Sequence, residues 1–298
     1  MRVVEIPPYF DDKGLDAVAG ALGGWPPEGR ILFDARATRW ASPYGFTTLL
    51  TAGQALQAIG AETPRLALPD SDDVRSYWAK TGFFAHAEGL FELHGKVPRR
   101  RADTASDILL PVTRLAASQD VHAVVDNIRE HANRILTAEI HLAPATTGRF
   151  AMSLSEVCQN VIEHAGTSGW VAVHAYNWRK RLGRRVVVIA VSDAGVGFRA
   201  SLEPSEGRKY GDRWGDSAAL EAALVHNVSR FRDPGRGQGL AAIKKLVTQL
   251  RGKISIRSGT ARLSILPPWD DDVPLAEGLP FFPGSQVQIV IPSQEAGT

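Results

Sequence analysis

The sequence predicts an α/β protein of two domains. The first hundred residues alternate strand and helix patterns, an arginine-rich polar stretch follows, and the second half has β-branched runs that end in glycine-rich turns. We place the N-terminal domain at residues 1–97, a linker at 98–110 and the C-terminal domain at 111–298. A chain of 298 residues with 44% hydrophobic content is long enough to bury two cores.

Apolar spacing orders the elements of the N-terminal domain. Strand signals and helical stretches alternate along it, and Gly60 and Gly82 end two of the predicted helices. Helices that connect consecutive strands pack on the faces of a sheet, so a small layered α/β domain is expected. The predicted strands are 3–6, 31–35 and 65–69, and the predicted helices are 14–22, 44–59 and 71–81.

Two basic clusters mark a boundary and a turn. Residues 99–101 follow a proline in the polar stretch, which predicts an exposed linker, and residues 179–185 lie between strand patterns at 171–176 and 185–191, which predicts a hairpin tip. The net charge is only +2 and neither cluster accompanies a recognition helix, so nucleic acid is not an expected partner.

Composition indicates a cytoplasmic protein. No apolar run approaches the length of a membrane span and the first residues lack a signal-peptide core, so a membrane is not an expected partner either. Cys158 is the single cysteine and lies within an apolar helix pattern, so we expect a buried small side chain rather than a reactive thiol. The scattered histidines do not form the pattern of a zinc site.

The first of three chemically informative motifs is SEVCQNVIEHA, from Ser155. Leu154, Val157, Val161 and Ile162 recur at helical spacing and predict a helix, on which Glu156 and Asn160 lie one turn apart on the same side. Mg²⁺ prefers oxygen ligands and is commonly held by few protein groups and substrate phosphates, so the Asn160 amide oxygen is a candidate ligand. Glu156 is then placed to act as a general base.

The second motif, SDAGVGF from Ser192, follows an apolar strand pattern. Asp193 stands at the end of that strand, where its carboxylate can accept a hydrogen bond from an exocyclic amine such as that of adenine. Gly195 and Gly197 allow positive φ and a close approach of the backbone to a flat ring. We therefore predict that all three residues contact a nucleotide.

The third motif, GRGQGL from Gly235, precedes a helix pattern at 240–250. Glycines at alternate positions before a helix supply backbone N–H donors for phosphate. The predicted phosphate-binding residues are Gly235, Arg236, Gly237, Gln238, Gly239 and Leu240.

In this order and spacing, the three motifs resemble the N-box and the two glycine boxes of the GHKL ATP-binding superfamily, and PGSQVQIVIP from Pro283 resembles its last strand. The resemblance covers residues 111–292 and implies a GHKL (Bergerat) α/β sandwich with ATP and Mg²⁺ as cofactors. It also implies that Asp193 reads adenine, that Asn160 holds Mg²⁺ and that Glu156 is the catalytic base, as in ATP hydrolysers and anti-sigma serine kinases.

The predicted helix at 118–139 contains His122 and His131, and neither has the acceptor motif of a histidine kinase.

The segment FDARATRWASPYGFTTLL, from Phe33, resembles the centre of a STAS domain, the fold of anti-sigma-factor antagonists. Aligning Gly45 with the family glycine puts Pro43 and Tyr44 where switchable members carry the phospho-acceptor, so the usual acceptor is missing. Ser42, Thr47 and Thr48 are the hydroxyls that could replace it. The local alternative is Ser42 as a helix N-cap and threonines that are packed or solvated.

Two loop segments remain, and two function classes stay open. Residues 199–234, with a helical patch at 216–227, match the ATP lid of the superfamily, and Trp214 and Phe231 within them are candidates for pairing in a homodimer. Residues 266–282 are expected to form an acidic surface loop.

Two classes of function are expected. In the first, the protein is an enzyme that hydrolyses ATP or phosphorylates a regulatory partner protein on Ser/Thr in a partner-switching pathway. In the second, it is an ATP-gated interaction module with little turnover.

Overall fold

A computed structural model of the chain describes residues 1–99, 107–127, 137, 140–178, 182–226, 228 and 239–294. The fold is mixed α/β, with a parallel sheet in the N-terminal part and an antiparallel sheet in the C-terminal part. The first part contains β1 (Arg2–Glu5), β2 (Tyr9–Phe10), α1 (Gly14–Ala21), β3 (Ile31–Asp34), β4 (Trp40–Ala41), α2 (Pro43–Ala58), β5 (Arg65–Ala67), α3 (Asp72–Lys80), α4 (Phe84–Ala87) and β6 (Glu92–His94).

The N-terminal sheet has the strand order β1-β3-β5-β6, and its pairs are parallel. Each predicted strand and helix of this part forms within two residues of its predicted bounds. The short elements β2, β4, α4 and β6 were not predicted, because two to four residues are too few to show a period.

The C-terminal part begins with β7 (Ile108–Leu115), so this strand starts within the residues assigned to the linker from sequence. The elements after it are α5 (Ser118–Asn127), α6 (Pro144–Asn160), β8 (Gly169–Trp178), β9 (Arg184–Asp193), α7 (Gly197–Leu202), α8 (Asp216–Leu224), α9 (Gly239–Gln249), β10 (Lys253–Gly259), β11 (Ala261–Ile265), β12 (Leu275–Ala276) and β13 (Phe282–Pro292).

The antiparallel sheet contains seven strands in the order β12-β11-β10-β13-β9-β8-β7. Strands β8 and β9 pair as the predicted hairpin, and residues 179–181 of the basic cluster between them lie outside the described residues. Cys158 is buried as expected, and burial raises the pKa of its thiol to about 12. Among the residues described, no helix has the length and apolar character needed to cross a membrane.

Side chains alternate between the two faces of this sheet. On β9, Val187, Ile189 and Val191 belong to the core beneath α5, α6 and α9. Ala190 instead belongs to the core of the N-terminal part, together with Trp170 and Ala172 of β8. The sheet is therefore covered on both faces, by its own helices on one side and by the N-terminal part on the other.

Helix α2 makes most of the contact between the N-terminal part and the antiparallel sheet, because it packs against β8, β9 and β13. On its other side α2 packs closely within the N-terminal part: a side chain at Gly45 would meet Phe10, and one at Gly53 would meet Phe91. Thirteen of the sixteen residues of α2 are buried, which leaves little of it free for another protein. The two parts of the chain thus share one continuous interface.

A buried ionic network reinforces the interface. The Lys253 ammonium lies 3.3 Å from Asp12 and Asp270 and 3.2 Å from Asp272, and Lys253 is only 3% exposed. Burial lowers the pKa of Lys253, but the three carboxylates outweigh this effect and raise it overall. The network connects the N-terminal part with residues 266–282, so Asp270 is buried and the prediction of a surface loop is wrong there.

Candidate functional site

Helix α6 carries the first motif. Its apolar side, which includes Leu154 and Val157 at 1% and 2% exposure, packs into the core beneath the sheet. Glu156 is exposed and Asn160 half-buried. Among the described residues, no side chain forms a hydrogen bond or ion pair with either of them. Both groups are therefore available to a ligand.

The helix ends in a wide π-helical turn, Val161–Ala165, after which Gly166 adopts a left-handed conformation with φ +70°. This turn brings Ala165 against the second motif: Val196 N–H donates to the Ala165 carbonyl at 3.2 Å. A side chain at Gly195 would lie 2.2 Å from the same carbonyl oxygen, so only glycine permits the contact. The end of α6 and the glycine motif are thus held together.

Asp193 ends β9 as predicted. Its side chain lies on the face of the sheet that α6 covers, because side chains alternate along a strand and Val191, two residues earlier, packs on that face. Its side chain is 6% exposed. Burial raises the pKa of Asp193 to about 6, against the opposing effect of backbone hydrogen bonds from Gly195 and Ser285. Gly195 N–H donates to Asp193 Oδ1 at 2.8 Å, so the carboxylate orients the glycine loop directly.

Gly197 begins α7 with φ +72°, a conformation that favours glycine. Positive φ was expected at both glycines of this motif, but the structure has it at Gly197 and not at Gly195, where close packing is the constraint. Phe198 N–H donates to Ser258 Oγ at 3.1 Å and ties the start of α7 to β10.

The third motif is described only at its end. Gly235, Arg236, Gly237 and Gln238 lie outside the described residues. Gly239 opens α9, and Leu240 is partly buried against the cluster formed by the lid segment. Of the predicted phosphate-binding residues, the structure therefore describes Gly239 and Leu240, in the first described turn of α9.

The lid segment continues from α7 through helical turns at Glu203–Gly207, Arg208–Tyr210 and Gly211–Arg213 to α8. Trp214 is 8% exposed and packs against Tyr210, with the ring centroids 5.4 Å apart and the ring planes tilted by 50°, so it is not a free pairing surface. Phe231, the other pairing candidate, lies outside the described residues. Arg208 and Arg213 are exposed.

The candidate acceptor hydroxyls of the N-terminal part are all buried. Ser42 caps α2, as expected, by accepting a hydrogen bond from Gly45 N–H at 3.1 Å, and it is 3% exposed. Thr47 and Thr48 are 0% and 1% exposed. In this arrangement none of the three hydroxyls is accessible to a kinase.

Two contacts between α2 and the segments of β8 and β9 were not predicted from the sequence, those of Thr47 and Gln54. Thr47 Oγ1 lies 3.0 Å from Ser192 Oγ, next to Asp193. Gln54 Nε2 donates to the Ser168 carbonyl at 2.8 Å, and Gln54 Oε1 accepts from Trp170 Nε1 at 2.9 Å. No local pattern distinguishes Gln54, because α2 also contains three threonines and Gln57.

An antiparallel sheet backed by helices, with an end-of-strand aspartate and a glycine loop that docks on a polar helix end, defines a nucleotide-binding α/β sandwich. Residues 146–293 match the model of the family described as histidine kinase-, DNA gyrase B-, and HSP90-like ATPase. This part of the chain is therefore a GHKL domain, which implies ATP binding and suggests an ATPase or kinase of that type. No curated protein matches the chain.

Proposed function

We propose that the chain is an Mg-ATP-dependent regulatory protein that transfers the γ-phosphoryl group of ATP to water or to a serine or threonine of a separate protein. The docking of the Gly195 loop on Ala165, at the end of α6, carries this proposal. It brings the adenine candidate Asp193 and the Mg²⁺ candidate Asn160 to the same side of the sheet.

The polar groups of the candidate site suit the adenine, the metal ion and the phosphates of Mg-ATP. Asp193 is a buried carboxylate that can accept from the adenine amine, and the Asn160 amide is a hard oxygen ligand without a partner among the described residues. The N–H groups at Gly239 suit phosphate. When bound, Mg²⁺ supplies charge neutralisation on the phosphate oxygens.

Glu156 has the role of general base. It is exposed one turn before Asn160, and its carboxylate can take the proton from an attacking water or hydroxyl. The buried hydroxyls Ser42, Thr47 and Thr48 cannot reach such a base, which supports an acceptor outside this chain.

The test is calorimetric titration with Mg²⁺ and a non-hydrolysable ATP analogue, followed by turnover and by phosphate transfer to co-purified protein. Asn160→Ala should abolish binding. Glu156→Gln should retain binding and lose turnover, whereas Glu203→Gln, which removes an exposed acid from the lid, should retain both. Normal turnover in Glu156→Gln would exclude Glu156 as the base, and absence of nucleotide binding would overturn the proposal.

The second candidate is an ATP-gated interaction module with little turnover. The missing acceptor at Pro43 and Tyr44 favours it, together with the burial of α2 in the interface. The N-terminal part then acts as a fixed support of the nucleotide domain, and the lid is the surface that responds to ATP. Tight nucleotide binding without hydrolysis or transfer would select this candidate.

A further inference from the structure

A cavity of about 230 Å³ lies at the junction of the two parts, at the end of the antiparallel sheet. Trp25 and the last turn of α2, including Ile59, form one wall. The loop of the second motif, residues 194–197, forms another. Phe281 and Gly284 close the third side. Neither Asn160 nor Asp193 lines the cavity, and α2 lies on the opposite face of the sheet from the Asp193 carboxylate.

Much of the lining is apolar and open to solvent. Ile59 is 46% exposed and Phe281 is 41% exposed, although both are large apolar side chains. Trp25 lies beside them, partly buried against the N-terminal core. Exposed apolar side chains that converge on a cavity are typical of a ligand site.

Two polar side chains of the lining make hydrogen bonds to neighbouring groups. Asp216 Oδ2 accepts hydrogen bonds from Thr260 N–H and Oγ1, both at 2.8 Å. Ser258 Oγ donates to the Gly284 carbonyl at 3.0 Å and accepts from Phe198 N–H. Arg199 also lines the cavity, is exposed, and makes no ion pair with any described residue.

We propose that this cavity binds a small carboxylic acid with a flat, apolar body. Trp25, Ile59 and Phe281 would cover the ring, and Arg199 would pair with the carboxylate. The volume limits the body to about one aromatic ring. An amphipathic anion of this kind uses both the apolar walls and the unpaired cation.

The position of the cavity connects it to the nucleotide site. Its wall is the outer surface of the loop in which Gly195 N–H holds Asp193 Oδ1 at 2.8 Å. A ligand that shifts this loop changes the affinity for ATP, and ATP then changes the affinity for the ligand by the same factor. This coupling rests on the proposed function, whereas binding of the acid does not.

The experiment is calorimetric titration of the full chain with phenylacetate, with neutral phenylacetamide as the comparison. We expect saturable phenylacetate binding with a Kd of about 1 mM, and much weaker binding of the amide. Arg199→Gln should weaken phenylacetate binding about tenfold. Arg208→Gln is the matched control, because it removes an exposed lid arginine that does not line the cavity.

A second variant locates the site. Ala58 is exposed at the mouth of the cavity, so Ala58→Trp should block phenylacetate without unfolding the protein. Unsaturable binding, equal affinity for acid and amide, or unchanged binding in both Arg199→Gln and Ala58→Trp would overturn the site. Repeating the titration with the ATP analogue separates the two proposals: phenylacetate binding without nucleotide binding keeps the site and rejects the ATP function.

Discussion

Thr47 Oγ1 and Ser192 Oγ lie 3.0 Å apart, and this buried pair joins helix α2 to the residue that precedes Asp193. Thr47 also donates to the Tyr44 carbonyl at 3.2 Å, so its oxygen accepts from Ser192. The two hydroxyls therefore depend on each other to different degrees. Removing the Ser192 hydroxyl leaves Thr47 with the Tyr44 carbonyl as a partner. Removing the Thr47 hydroxyl leaves the Ser192 hydroxyl without the one partner that it has among the described residues.

Thr47→Val should consequently cost more than Ser192→Ala. We expect Thr47→Val to lower the free energy of unfolding by about 1–3 kcal/mol, because it leaves a buried hydroxyl without a partner. Ser192→Ala in the Thr47→Val background should recover part of the loss. Urea unfolding of the four proteins of this cycle measures the effect, and additive losses would contradict the paired geometry.

Nucleotide affinity should depend on pH through Asp193. Burial raises the pKa of this carboxyl to about 6, and the ionised carboxylate is a stronger acceptor for the adenine amine than the protonated group is. The Kd of the ATP analogue should be constant above about pH 7 and rise by up to about tenfold per pH unit well below pH 6. Titrations between about pH 5 and pH 8 test this, and Asp193→Asn should bind weakly without this pH dependence. A constant Kd in the unaltered protein would exclude Asp193 as a titrating contact.

Elements with a strong local period could be predicted from the sequence. Helix α2 begins at Pro43 because Ser42 caps it, and α6 places Leu154 and Val157 in the core as their spacing requires. The end-of-strand position of Asp193 follows from the β-branched run before it. These features depend on residues close to each other in the chain, so the sequence pattern contains them.

The interface between the two parts could not be predicted. Lys253 alternates with apolar residues on β10, a pattern that indicates a polar face but not what covers that face. Its partner Asp12 is 241 residues away, and pairing at that separation leaves no local signal. The acidic segment 266–282 likewise has the sequence pattern of a solvated loop, because the cation that pairs with Asp270 and Asp272 is Lys253 of β10.

Acid stability should depend on His174, which is buried at 1% exposure beside Tyr77 and Tyr176. Burial lowers the pKa of His174 to about 3. Between about pH 6.5 and pH 3 the unfolded chain binds a proton at His174 and the folded protein does not. The contribution of His174 to the free energy of unfolding is therefore complete above about pH 6.5 and decreases as the pH falls toward 3.

His174→Leu should remove this contribution. Between about pH 6.5 and pH 4, the free energy of unfolding of the variant should fall less steeply, by up to about 1.4 kcal/mol per pH unit. The variant loses the hydrogen bond between His174 Nδ1 and Tyr176 at 3.1 Å, but Tyr176 and Tyr77 keep their mutual hydrogen bond at 3.0 Å. Urea unfolding across this range is the measurement, and parallel curves for the two proteins would show that His174 is not the group responsible.

Removing the buried cation at Lys253 should be severely destabilising. Lys253→Met leaves Asp12, Asp270 and Asp272 without their shared ammonium, and breaking a buried ion pair in this way costs roughly 3–5 kcal/mol. Asp12→Asn in the same background should recover part of the loss, since one buried charge is removed. The exposed Lys245→Met is the control and should change stability by no more than about 0.5 kcal/mol. Urea unfolding at neutral pH decides the question: a loss as small as that of the control would mean that the network does not hold the two parts of the chain together.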